Sequence, residues 1–107
     1  GIVVMPLIGD LGPARLADVQ RQALEAIVEN AARHLLLDVT GVPALDREGA
    51  DAVFATIDAA RLLGCAVALV GVGPALAEAL AAIPGVRSRV ACFSTLQAAL
   101  RSLRRAA

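Results

Sequence analysis

Apolar positions in this chain fall into two kinds of run, and the two alternate. Residues 2–8 are almost wholly apolar and read as a strand, with Pro6 marking an edge or a bulge. Over residues 13–32 the period lengthens. Leu16, Val19, Ala23, Leu24, Ile27, Val28 and Ala31 keep a helical stripe, while Asp18, Arg21, Gln22, Glu25 and Glu29 take the other face. Residues 34–39 hold the uninterrupted Leu35-Leu36-Leu37, suited to a strand covered on both faces. A second helix is predicted over 48–63, closed by Gly64. A third strand follows over 65–72. A short helix over 74–83 has Pro74 at a favourable first position. A last short strand over 90–93 leads to a final helix over 94–105, where Ser94 and Gln97 have capping-box spacing.

Strands that alternate with helices imply an α/β domain with right-handed crossovers. The chain has 107 residues, enough for one domain with one core. Apolar residues make up 58% and aromatics only 2%, so the core must be built from Ala, Val, Leu and Ile. Neither an internal repeat nor a low-complexity segment interrupts the pattern. In the second helix, Val53, Phe54, Ile57 and Leu62 spread too widely to fit one narrow stripe. That predicts exposed apolar surface near this helix and self-association, as a homodimer.

Charge excludes one class of partner. Ten acidic residues balance ten basic ones, all of them Arg, so no nucleic-acid footprint is expected. Arg101, Arg104 and Arg105 cluster at the C-terminal end of the last helix, where cations are electrostatically favoured. No apolar run reaches the roughly 18 residues of a spanning helix, and no signal peptide is visible, so no membrane partner is expected. Cys65 and Cys92 each lie in an apolar run and are read as buried free thiols of a reducing cytoplasm. The first residue is Gly1 rather than Met, which suggests a fragment of a longer chain with a further domain upstream.

Enzyme chemistry finds little support. His34 is the single histidine, and no Ser, His and acid set is visible. The cysteines are too far apart for a redox motif, no metal-ligand spacing appears, and no cofactor is expected. Gly71-Val72-Gly73-Pro74-Ala75 lacks the third glycine of a dinucleotide fingerprint, and Pro74 removes a donor. A receiver-type phosphoacceptor is disfavoured because the chain has no Lys and Asp10 alone follows the first strand.

The most informative stretch is 35–46. A buried strand ends near Asp38, and Thr40-Gly41-Val42-Pro43 breaks the pattern, with Pro43 biasing Val42 away from helical angles. Asp46 then stands where a helix N-cap belongs, before Arg47-Glu48-Gly49-Ala50. A side chain at such a helix start is exposed and lies near free N–H groups. A phosphoryl group there would change the surface by roughly two charge units, which suits a switch.

The run Asp38-Val39-Thr40-Gly41-Val42-Pro43-Ala44-Leu45-Asp46 resembles the core motif of STAS domains, the anti-sigma factor antagonist family, and more narrowly the Rsb-type stressosome proteins of bacteria. Met5-Pro6-Leu7-Ile8-Gly9, Arg61-Leu62-Leu63-Gly64-Cys65, Leu69-Val70-Gly71-Val72-Gly73-Pro74 and Ser94-Thr95-Leu96-Gln97 resemble further family segments, in order along nearly the whole chain. The resemblance implies a STAS fold, with a central four- to five-stranded mixed sheet flanked by about four helices. It implies a binding role, with sister STAS domains and a switch kinase as partners and a sensor domain upstream. Its partner-facing loop would carry Asp38, Thr40, Gly41, Asp46 and Arg47.

The chain departs from that family at its switch. The residue after the motif Asp is often the phosphorylated Ser or Thr, and here it is Arg47. A second family acceptor lies in the helix after the Gly-x-x-Pro turn, and here residues 75–82 contain no hydroxyl. Thr40 and Thr95 lie nearest the family landmarks, but each has a structural role available, in a turn and in a first helical turn respectively. An alternative reading is a small-ligand, nucleotide or anion-binding module, favoured by Arg47 beside a helix N-terminus.

Overall fold

The computed structural model describes residues 1–9, 11–86 and 90–106. Its elements run β1 (Ile2–Ile8), α1 (Pro13–Asn30), β2 (His34–Gly41), α2 (Arg47–Leu62), β3 (Ala66–Val70), α3 (Pro74–Ala81), β4 (Ala91–Phe93) and α4 (Leu96–Ala106). Asp10, weighed above as the lone acid after the first strand, lies outside the described residues.

The strands form one sheet in the order β1-β2-β3-β4, and every pairing is parallel. The expected mixed sheet is therefore corrected among the described residues. Each of the first three strands is followed by a connection that carries the chain back to the end of the sheet where that strand began, so its neighbour runs the same way. β1 is an edge strand, and its register shifts between Pro6 and Ile8. Proline donates no ladder hydrogen bond, and an irregular edge accommodates it.

α1, α2 and α3 supply the main core on one face of the sheet. Leu16, Val19, Ala23 and Ile27 of α1 pack with Val53 and Ile57 of α2, Leu76 and Leu80 of α3, and Leu7, Leu35, Leu37 and Leu69 of the strands. On the opposite face, among the described residues, α4 alone covers a smaller cluster of Leu36, Ala68, Val70 and Ala99, joined by Phe93, Leu96, Leu100 and Leu103. The triple leucine of β2 thus divides between two cores, as a strand covered on both faces must.

Three expectations shift. Val53, Phe54 and Ile57 are all buried, because α2 packs against α1 and α3 as well as the sheet and so hides a wide arc. Of that helix's apolar set only Leu62 is open, at 90%. The last helix is capped by Thr95 and not Ser94: Thr95 Oγ1 accepts from the Ala98 amide at 3.1 Å. Cys65 is buried, and burial pushes its thiol pKa up, but Cys92 is exposed on the edge strand β4. Both thiols are free.

Candidate functional site

The predicted site residues lie at the C-terminal end of the parallel sheet. Open α/β folds place their exposed loops there, because each strand hands over to a helix at that end. β2 runs longer than its apolar pattern suggests and continues to Gly41. Asp38 is therefore inside the strand, with Pro6 opposite on β1 and Val70 opposite on β3.

Asp38 and Thr40 form one compact unit. Asp38 Oδ1 accepts from the Thr40 hydroxyl at 2.6 Å and from the Thr40 amide at 3.0 Å. The hydroxyl first, and then the amide, hold the Asp38 carboxyl below its ordinary value, because both donate to the charged form. Thr40 is exposed and stands directly over Gly71, at the turn that follows β3. Gly71 has φ +79°, and its amide donates to the Phe93 carbonyl at 2.9 Å. Gly41 lies close against the backbone of Leu7 and Ile8, and its carbonyl accepts from the Gly9 amide at 3.1 Å. The Val42 amide turns back to the Val39 carbonyl at 2.9 Å.

The second half of the site is the start of α2. Asp46 is the N-cap, and its Oδ1 accepts from the Gly49 amide at 2.7 Å. Leu45 and Asp46 press against Gly49, so the first turn has little room for a larger residue. Arg47 is the first helical residue and projects into solvent, 79% exposed. Its Nε lies 3.7 Å from Asp51 Oδ2, an i,i+4 surface pair. Beside this turn runs a hollow of about 240 Å³ lined in part by Gly12, Gln20, Asp46, Glu48 and Gly49.

The structure thus places Asp38, Thr40 and Gly41 in one hydrogen-bonded corner, and Asp46 and Arg47 in a neighbouring helix start. Among the described residues no hydrogen bond or ion pair links the two groups. The sequence marks Gly71 only as part of a tight turn. Its contact with Thr40, at the end of β2, joins positions 31 residues apart in the chain, a relation that no local pattern encodes.

Chemically, the arrangement can present and it can bind. Anion docking on the α2 N-terminus is poorly supported, since the Asp46 carboxylate already occupies an amide there and Glu48 adds a second negative charge. Among the described residues no group of His, Cys, Asp and Glu could hold a metal ion. None of the described helices is long and apolar enough to cross a membrane.

Comparison with known proteins agrees with this geometry. The family model for the STAS domain matches residues 1–99. The RsbT co-antagonist protein RsbRA of Bacillus subtilis (strain 168) is 30% identical over 101 residues, 94% of this chain and 37% of that protein. RsbRD of the same organism, also an RsbT co-antagonist protein, is 32% identical over 78 residues, 73% of this chain and 28% of that protein. The match therefore spans 37% of the first relative's length and 28% of the second's. Among solved structures, a singly substituted form of Moorella thermoacetica RsbS superposes with a TM-score of 0.80 at 22% identity, covering 95% of this chain and 86% of that one. A chain from the molecular architecture of the stressosome, a signal integration and transduction hub, gives 0.81 at 22% identity, covering 95% and 89%. Fold, motif order and sequence likeness agree: this chain belongs to the STAS domain family.

Proposed function

We propose that this domain is a non-catalytic protein-interaction module of the stressosome type, acting in a cytoplasmic stress-response pathway. It binds sister STAS domains, self-associates as a dimer, and engages a partner-switching serine/threonine kinase. Its signal comes from a sensor domain upstream. The observation that carries this reading is the likeness to an RsbT co-antagonist protein along 94% of the chain. The Asp38–Thr40 corner supports it, because its internal hydrogen bonds shape an exposed surface suited to presentation.

Arg47 adds a regulatory consequence. A guanidinium has no hydroxyl to accept a phosphoryl group, so the domain is not switched at that position and binds its partners constitutively. Thr40 and Thr95 already serve structural roles, as the donor to Asp38 and as the cap of α4.

The test is to incubate the parent and Arg47→Ser with the cognate switch kinase and ATP, and to read intact mass. The parent should gain nothing, and the variant should gain one phosphate on the introduced serine. Phosphate appearing on Thr40 or Thr95 of the parent, as readily as on that serine, would overturn the lost-switch reading. Absence of any complex between the parent and either a sister STAS domain or the kinase would overturn the interaction reading.

A further inference from the structure

The C-terminal ends of α1 and α2 leave an apolar ridge uncovered. Ala23 and Ile27 of α1 are buried in the main core, but Leu24 and Val28, one position on, stand about 100° further round the helix. Val28 is 67% exposed, and Leu63, just past the end of α2, is 48% exposed. Two hollows share Val28 and Leu63 as a common wall. The first, of about 470 Å³, is completed by Leu24, Glu25 and Glu29. The second, of about 380 Å³, is lined further by residues that include Ile27, Ala31 and Arg33. Leu62, though more exposed than either ridge residue, lines neither hollow. The Gly1 carbonyl accepts from the Arg33 amide, but Gly1 too lines neither hollow.

The two hollows carry opposite charge. Glu25 is already paired with Arg21, so Glu29 is the open anion of the first hollow. Arg33 is the cation of the second. Both are exposed, and among the described residues neither makes an ion pair.

This arrangement selects its occupant. A partner of one charge sign would attract one flank of the ridge and repel the other. A second copy satisfies both. Turned by a two-fold axis along the ridge, it sets Val28 and Leu63 against their equivalents and each Glu29 against Arg33 of the other copy. The surface is thus complementary to itself in its apolar centre and in its charged edges.

We infer that this ridge is the contact through which two copies of the chain associate, with Val28 and Leu63 at its centre and two symmetric Glu29–Arg33 ion pairs at its edges. The inference rests on the self-association proposed above and gives it a surface; it does not involve the Asp38–Thr40 corner or Arg47.

Sedimentation equilibrium of the full chain at low salt, over a concentration series, provides the test. The parent should dimerise. Val28→Asp should leave a monomer, because it places two carboxylates in the apolar centre. Glu29→Arg and Arg33→Glu should each weaken the dimer about tenfold or more, since each sets like charges face to face at two places. An equimolar mixture of these two variants should regain the dimer as a heterodimer, identified by native mass spectrometry, because both of its cross-pairs are then of opposite sign. All three positions are exposed, and circular dichroism should show each variant folded. A parental dimer that none of the substitutions weakens would overturn the inference and leave self-association standing, with its contact elsewhere. A parent that stays monomeric throughout the series would overturn both. Single variants that weaken the dimer but are not rescued by mixing would overturn the Glu29–Arg33 pairing and with it the two-fold arrangement. So would a lysine-rich amphipathic helical peptide that binds the ridge more tightly than a second copy does.

Discussion

Thr40 rests on Gly71, and the contact leaves no space for a side chain at position 71. A Cβ there would overlap Thr40 Oγ1 and crowd its Cβ, and the φ of +79° is itself unfavourable for any other residue. The last residues of β2 and the turn after β3 are locked together at the exposed end of the sheet. Gly71→Ala should therefore destabilise the fold by about 1–3 kcal/mol, from backbone strain and displacement of Thr40 together. Urea denaturation of parent and variant measures it, and a change under about 0.5 kcal/mol would contradict the contact.

The same threonine controls a proton. Its hydroxyl and amide stabilise ionised Asp38, so the folded-state pKa lies below the ordinary 3.8. A depressed carboxylate contributes stability that is complete above its unfolded value and disappears as pH falls through its folded value. The contribution is thus whole at neutral pH and is lost only below about pH 4. Thr40→Val removes the hydroxyl and keeps the amide, so Asp38 should titrate at higher pH than in the parent. Carboxyl NMR titration reads the direction directly; an unchanged or lower value in the variant would refute it.

Asp46 and Arg47 are neighbours with unequal structural weight. Asp46→Ala loses the cap on the Gly49 amide, and a cost of about 1 kcal/mol is expected. Arg47→Ser loses only a surface pair with Asp51, so the change should stay within about 0.5 kcal/mol. Thermal melts of the two variants in one buffer should separate them, with Asp46→Ala the less stable.

Ile57 and Leu62 test how far α2 is hidden. Ile57 is fully enclosed, and Ile57→Ala should cost about 2–5 kcal/mol through lost burial and the cavity left behind. Leu62→Ala should be nearly neutral in the isolated domain, since its side chain is 90% exposed. Equal costs at the two positions would mean that Leu62 is covered in solution.

The cysteines should react at different rates. Cys92 is exposed and should take up a thiol reagent in the native state, while Cys65 should react only after denaturant is added. Counting modified thiols by mass, with and without urea, decides this. Labelling of Cys65 first would contradict its burial.

Much of the architecture was legible because hydrophobic period is a local property. The runs at Ile2–Ile8 and Leu35–Leu37 and the stripe from Leu16 to Ile27 predict their elements from neighbours within a few residues. The Asp46 cap and the positive φ at Gly64 were visible for the same reason, since each answers to a single helix end. Thr95 displaced Ser94 as a cap by one position, a difference set by where β4 delivers the chain to α4.

What only the tertiary structure decided are relations between distant segments. Parallel pairing throughout, the burial of both flanks of α2, the exposure of Cys92 and the seat of Thr40 on Gly71 each depend on which element lies alongside which. The same holds for Ile2, Val4 and Ile8. Their apolar character reads from sequence as core, and they are open because α4 lies chiefly over β3 and β4. A residue's hydrophobicity is carried by its own side chain, but its burial is conferred by its neighbours in space. The sequence by itself therefore determined the elements and the family motif, and packing determined which apolar surfaces remain available for partners.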